Sequence, residues 1–124
     1  IIRLEQNYRS TQQILSAANL LTFPSIREFG GGVVLEAMAL GVVPMVVDYA
    51  GPGELVTAET GFAIPLGTRQ QIAARMEQAL ADVLRDPTRL TTMATAARRM
   101  VQDHYTWDAK AAQIIAMYRD VLKP

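Results

Sequence analysis

The sequence predicts an α/β domain built on a small parallel sheet of four strands, in the order 1-2-3-4, flanked by helices. Short apolar runs of strand length alternate along the chain with longer stretches of helical period. Such alternation favours parallel strands joined by right-handed helical crossovers. The run Val43–Val47 is rich in β-branched residues and is continuously apolar, which is typical of a strand buried on both faces.

The first half of the chain contains two predicted strands, each followed by a helix. Ile1–Leu4 is the first strand, and the capping box Ser10–Gln13 predicts that a helix starts there. Leu20–Phe23 is the second strand. Val33–Leu40 has helical composition, and we expect that helix to end at Gly41.

The two remaining strands enclose a short helical turn. Val43–Val47 is the third strand, in spite of Pro44 near its start, because it is bounded by Gly41 and Asp48. The segment 51–56 is predicted to form a single helical turn. Gly61–Ile64 is the fourth and last strand.

Three amphipathic helices complete the chain. A second capping box, Thr68–Gln71, starts the first of them, and Asp86 followed by Pro87 starts the next. Their expected core faces are Ile72, Met76, Ala79, Leu80, Val83 and Leu84, and then Leu90, Met93, Ala97, Met100 and Val101. The apolar stripe of the last helix is Trp107, Ala111, Ile114, Ile115, Tyr118, Val121 and Leu122.

Residues 28–36 carry the strongest functional signal. Glu28 and Glu36 stand eight positions apart, with three glycines between them, shortly after the second predicted strand. A strand, a glycine turn and a helix start together expose backbone N–H groups to a phosphate oxygen. The two carboxylates can then accept hydroxyl hydrogen bonds from a ribose and a sugar, which suits a nucleotide-sugar. The alternative is a glycine-rich turn with two solvated acids.

Composition excludes several classes of function. The 124 residues form one predicted domain, 1–124. Its twelve basic and twelve acidic side chains give a net charge of zero, so the sequence has no excess of positive charge that would favour nucleic-acid binding. No cofactor is predicted, and the lack of cysteine excludes thiolate chemistry. The longest apolar run, 37–47, is interrupted and shorter than the roughly 20 residues that span a bilayer. We expect a cytoplasmic protein.

Five motifs between Ala17 and Leu122 stand in a distinctive order: Phe23–Ser25, Glu28–Ala39, Asp48–Glu54, Thr60–Phe62 and Tyr105–Asp108. In order and spacing they resemble the C-terminal, donor-binding half of group 1 (family 4) retaining GT-B glycosyltransferases. One departure is Ala50, where that family usually has a second glycine before Gly51.

The resemblance implies roles for the residues of the glycine loop. In that family the first glutamate contacts the donor sugar and the second binds the ribose hydroxyls, which here implies Glu28 and Glu36. The loop amides of Phe29, Gly30 and Gly31 would face the sugar and the diphosphate.

The resemblance also implies an incomplete binding crevice. The complete C-terminal domain resembles a six-stranded Rossmann sheet that binds its ligand where the strand order reverses. This chain is expected to form a partial Rossmann-like sheet without that reversal. In that family an arginine and a lysine upstream of the glycine loop hold the donor diphosphate. The lysine has no counterpart here, since the only lysines are Lys110 and Lys123, both near the end of the chain. We therefore expect at best weak nucleotide-sugar binding and no catalysis by this chain alone.

The start of the chain points elsewhere. The segment Leu4–Leu15, with residues 17–19, resembles a nucleotide-contacting motif of UvrD-like superfamily 1 helicases. The resemblance implies adenine stacking by Tyr8 and a phosphate contact by Arg9. Residues 1–19 would then be a helicase-like strand, loop and helix, followed by a glycosyltransferase-like segment, 20–124. This suggests a chimeric or engineered chain, and the start at Ile1 instead of Met favours a fragment.

Three hypotheses about function follow. The first is a recombined half-domain without catalysis, the second a residual nucleotide-sugar binding module, and the third nucleotide or DNA binding through residues 1–19. We also expect a homodimer, formed through the last helix, Trp107–Leu122, or through the free edge of the first strand.

Overall fold

The computed structural model describes residues 18–123, in which strands and helices alternate as the sequence predicts. The strands are β1 (Leu20–Phe23), β2 (Val43–Asp48) and β3 (Phe62–Pro65). The helices are α1 (Gly32–Leu40), α2 (Ala50–Leu55), α3 (Arg69–Arg85), α4 (Thr88–His104) and α5 (Trp107–Val121). The predicted elements from the second strand onward are confirmed, with boundaries that differ by one residue at most.

The strands form a parallel sheet in the order β1-β2-β3. Leu20 pairs with Val43 at the start of β1, and Met45 of β2 pairs with Phe62 of β3. The α/β class and the parallel sheet flanked by helices are thus confirmed. The sheet has three strands in the described residues, not the predicted four, because the predicted strand Ile1–Leu4 lies outside them, as does the predicted helix from Ser10.

The central strand β2 separates two apolar clusters, because its side chains alternate between the two faces of the sheet. Val46 packs with α1, α2 and α4, whereas Met45 and Val47 pack against α3. The first cluster contains Val34, Met38, Val46, Leu55, Val56, Ala97 and Val101. The second contains Met45, Val47, Ile64, Ile72 and Met76. Helices therefore cover both faces of β2, as its continuous apolar sequence predicted.

Helix α1 ends at Gly41, which adopts φ +78°. Its N–H donates to the carbonyl oxygens of Ala37 and Met38, closing the helix in a left-handed turn. The guanidinium of Arg98, on α4, donates from Nη2 to the carbonyl oxygen of Leu40 at 3.0 Å. A donor from a distant part of the chain thus satisfies a carbonyl that the helix leaves without an internal partner.

The predicted capping box at the start of α3 is confirmed. Thr68 Oγ1 accepts the N–H of Gln71 at 3.3 Å, and Gln71 Oε1 accepts the N–H of Thr68 at 2.9 Å. At the start of α4, Asp86 Oδ1 accepts the N–H of Thr88 at 3.2 Å. Asp86 therefore supports the start of α4, but the N-cap is Pro87 instead of the predicted Asp86, and the helix begins one residue later than predicted, at Thr88.

We expect Thr68→Ala to lower the free energy of unfolding by about 1 kcal/mol, because it removes the acceptor for an otherwise unpaired N–H at the helix start. Urea denaturation followed by circular dichroism measures the change. Thr68→Ser keeps the oxygen and is the matched control. Equal stability of the Ala and Ser variants would show that the cap does not stabilise the fold.

Two predicted apolar faces differ from the structure. Leu84 is 81% exposed, because it lies about 100° around α3 from the buried Val83 and so outside the face toward the sheet. In α5, no residue is buried, and Trp107 is 90% exposed. The last helix therefore does not cover the sheet in the single chain.

Candidate functional site

The glycine loop connects β1 to α1 at the carboxyl edge of the sheet. Gly31 is the N-cap of α1, and Gly32 is the first helical residue. Glu28 lies in the loop and is exposed, whereas Glu36 lies in the second turn of α1 and is half-buried. The strand, glycine turn and helix start therefore occur where the sequence predicted them.

Gly31 occupies a position that suits only glycine. Its φ is +64°, and a Cβ there would lie 2.8 Å from Leu55 Cδ1 and 3.3 Å from the backbone nitrogen of Pro52. Other residues pay a steric penalty for this backbone conformation, and a side chain would also collide with α2. The start of α1 thus packs directly against α2, the helix that follows β2.

A second loop, between β2 and α2, touches the first. A Cβ on Gly51 would lie only 2.1 Å from the carbonyl oxygen of Phe29 and 3.2 Å from the carbonyl carbon of Gly30. The absence of a side chain at Gly51 therefore permits the contact. The sequence pointed to the motif Asp48–Glu54 but not to Gly51 as a site residue. Its Gly-Pro-Gly core was the signal that could have identified it.

The outer side of the glycine loop is open. A Cβ on Gly30 or on Gly32 would meet nothing within 4 Å, and both residues are exposed. The backbone hydrogen bonds of α1 begin with the N–H of Val34, which donates to the carbonyl oxygen of Gly31 at 2.9 Å. The first turn carries no acidic side chain and no side-chain cap, so nothing there offsets the positive end of the helix dipole. This end of α1 can accept an anion such as a phosphate.

Phe29 lies at the tip of the glycine loop with 92% of its side chain exposed. Its carbonyl group lies against Gly51, so the backbone of Phe29 forms the contact between the two loops. Its ring, by contrast, is exposed to solvent. The loop is therefore held by its backbone, and its side-chain surface stays accessible to a ligand.

Ala50, which stands where the resembled family usually has a glycine, has a left-handed backbone conformation. Its φ of +50° is the one positive value at a non-glycine position among residues 18–123. Such a φ is strained for a residue with a Cβ. The turn before Gly51 therefore has a conformation that a glycine at position 50 would adopt without this strain.

Two other features are absent from the described residues. Within residues 18–123, no group of three potential metal ligands comes together. In the same part of the chain, no helix has the length and apolar character needed to cross a membrane. Tyr8 and Arg9, the residues implied by the helicase resemblance, lie outside the described residues.

The fold and the loop together define the class: an α/β protein with a parallel sheet flanked by helices, in which the glycine loop lies at the carboxyl edge of the sheet, where open α/β sheets commonly bind ligands. Residues 2–100 match the family model described as Glycosyl transferases group 1. The chain belongs to this family. The match begins near the start of the chain and includes most of residues 1–19. The helicase resemblance and a chimeric origin find no support in these comparisons and stay predictions.

Curated relatives agree with the family. The chain is 32% identical over 113 residues to an alpha-maltose-1-phosphate synthase of Mycolicibacterium smegmatis, covering 89% of this chain and 29% of that protein. It is 33% identical over 111 residues to a D-inositol 3-phosphate glycosyltransferase of Corynebacterium aurimucosum, covering 88% and 25%. A glycogen synthase of Chlorobaculum parvum is 30% identical over 117 residues, covering 89% and 23%. The chain thus spans less than a third of these relatives.

Proposed function

We propose that this chain is the donor-binding part of a nucleotide-sugar glycosyltransferase. One observation carries the proposal: Gly51 brings the loops after two adjacent strands into contact, and the open side of the glycine loop faces solvent beside the bare N-terminus of α1. A phosphate placed there meets backbone N–H donors and the positive end of a helix dipole. Membership of the family supports a glycosyl donor as the phosphate carrier.

Each residue of the loop has a role in this proposal. The amides of Phe29, Gly30 and Gly31 face the donor sugar and the diphosphate. Glu28, exposed in the loop, accepts hydrogen bonds from sugar hydroxyls, and Glu36 accepts them from the ribose. Hydrogen bonds to charged groups contribute about 1.5–3 kcal/mol, more than neutral ones do.

Binding by the single chain is weak in this proposal. A helix N-terminus stabilises an exposed anionic group by only about 0.3–1 kcal/mol. A millimolar dissociation constant corresponds to about 4 kcal/mol in total, which a few such contacts supply. Turnover of a donor by the isolated chain is therefore not expected.

Titration with UDP-glucose, GDP-mannose and ADP-glucose, followed by NMR, tests the site. We expect millimolar affinity for at least one donor, with the largest amide shifts at Gly30, Gly31 and Gly32. Glu28→Gln and Glu36→Gln should each weaken binding about tenfold, since each removes a charge-assisted hydrogen bond. Glu77→Gln, on the exposed surface of α3, is the matched control.

Three outcomes would contradict the proposal. They are sub-micromolar affinity of a single chain, amide shifts that avoid the glycine loop, and equal binding by all the glutamate variants. Thermal unfolding of each variant shows whether a loss of binding reflects the site or a loss of fold.

A second candidate is a recombined scaffold without a ligand of its own, favoured by the helicase-like sequence Leu4–Leu15. It predicts no signal with any nucleotide-sugar in the parent or in the glutamate variants. Nucleotide binding through Tyr8 and Arg9 would instead give shifts with ATP that Tyr8→Ala abolishes. The cytoplasmic location stays a prediction.

A further inference from the structure

Ala50 is strained at the point where the two loops of the candidate site meet. Its φ is +50°, and its neighbour Gly51 lies against the carbonyl group of Phe29. That contact brings the loop after β2 onto the glycine loop. Residues other than glycine cost free energy in this conformation, and in folded proteins they cluster at ligand-binding and switching segments. The strain and the loop contact thus belong to adjacent residues.

The surroundings of Ala50 hold its backbone from both sides. Before it, the N–H of Tyr49 donates to the carbonyl oxygen of Val47 at 2.8 Å, which fixes the end of β2. After it, Pro52 is fully buried. A Cβ on Gly31 would lie only 3.3 Å from the backbone nitrogen of Pro52, so this proline is held under the start of α1. The chain therefore turns between two fixed points, and the positive φ of Ala50 makes that turn.

The helix that opposes relaxation of this turn is weak. Helix α2 has only six residues and no side-chain cap at its start. The N–H of Gly53 donates to the carbonyl oxygen of Tyr49 at 3.3 Å, and that of Val56 donates to Gly53 at 3.4 Å. Both bonds are longer than the usual range of about 2.7–3.2 Å, and so short a helix has little stability of its own. The buried side chains of Pro52 and Leu55 are what oppose the strain.

We propose that Ala50 makes the contact between the two loops reversible, so that the donor of the proposed function binds by selecting the closed arrangement. In the closed arrangement Gly51 lies against Phe29, as in the structure. When Ala50 returns to a negative φ, the chain turns away at Gly51 and the glycine loop loses its support. Ala50 is thus a positioning residue, which acts on the ligand through the glycine loop. The inference rests on the proposed donor site, but the exchange itself needs no ligand.

Alanine favours the open arrangement more than glycine would. A left-handed conformation is less favourable for a residue with a Cβ by a factor of about 5–30 in the equilibrium constant. Glycine, in contrast, adopts positive and negative φ about equally readily. A protein that spends part of its time in an arrangement unable to bind has a correspondingly weaker apparent affinity. With glycine at position 50, the closed arrangement should dominate before the donor arrives.

Ala50→Gly tests the inference first in the free chain. NMR relaxation dispersion, which detects exchange on the microsecond-to-millisecond timescale, should show exchange at the amides of Gly30, Gly31 and Gly51 in the parent and much less in the variant. The Tm should rise by about 2–5 °C, because the relief of strain outweighs the added freedom of glycine in the unfolded chain.

Ala74→Gly is the matched control, since it makes the same change at an exposed position in the regular helix α3. It should lower the Tm, because glycine inside a helix is destabilising, and it should leave the exchange at the two loops unaltered. The control therefore separates relief of strain at position 50 from a general effect of glycine.

Donor titration separates this inference from the proposed function. Among UDP-glucose, GDP-mannose and ADP-glucose, the donor that binds the parent should bind Ala50→Gly about threefold more tightly, and Ala74→Gly with parental affinity. Equal or weaker binding by Ala50→Gly would overturn the inference, as would exchange that persists at the glycine loop of this variant. Loss of exchange without donor binding by either chain would support the reversible contact and contradict only the proposed function.

Discussion

Replacing Met38 by Ala is expected to lower the free energy of unfolding by about 2–5 kcal/mol, the range for emptying a well-packed core position. Met38 is fully buried in the cluster that joins α1 to β2 and α4. Its loss removes contacts with Val46 and Ala97 and leaves a cavity under the helix that carries the glycine loop. Urea denaturation followed by circular dichroism at 222 nm measures the change.

Met117→Ala is the matched control, since the same side chain on α5 is 68% exposed. We expect its effect to stay within about 0.5 kcal/mol, as for other surface substitutions. A loss at Met117 as large as that at Met38 would mean that this side of α5 is packed in solution.

Gly51→Ala is expected to remove measurable donor binding and to destabilise the fold by about 1–3 kcal/mol, as overpacking does. The added methyl group would lie 2.1 Å from the carbonyl oxygen of Phe29, so one of the two loops must move. Movement of the glycine loop displaces the amides proposed to hold the diphosphate. NMR titration measures the binding, and urea denaturation measures the stability.

Gly30→Ala separates the two effects of the Gly51 substitution. Its methyl group would meet nothing within 4 Å, so stability should be unchanged, while the space proposed for the donor becomes smaller. Unaltered stability and binding of Gly51→Ala would show that the two loops are not in contact. Full donor binding by Gly30→Ala would show that the ligand lies elsewhere.

Local sequence signals predicted most of the fold because each depends on neighbouring residues. The capping box at Thr68 and the glycine after Leu40 fix where two helices begin and end, whatever they pack against. The continuous apolar run at Val43–Val47 is a direct consequence of burial on both faces of the sheet. These elements follow from interactions within a few residues.

The parts that sequence reasoning missed depend on distant contacts. Gly51 belongs to the site because Phe29 lies against it, and no local pattern shows that contact. Leu84 follows the apolar spacing of α3 but lies about 100° away from its buried face and is exposed. The layout of Glu28 and Glu36 suggested a ribose and a sugar as their partners, but only the family resemblance indicated which of the two would contact which.

Helix α1 is bounded by two left-handed glycines: Gly31 lies against Leu55 and the backbone of Pro52, and Gly41 lies against the guanidinium of Arg98. Inserting or deleting one residue between Gly31 and Glu36 would rotate Glu36 by about 100° relative to the loop. Any such change within α1 would also move one of the two glycines away from the end of the helix that it forms. Selection on this segment should therefore act on its length, and gaps in related sequences should fall outside α1.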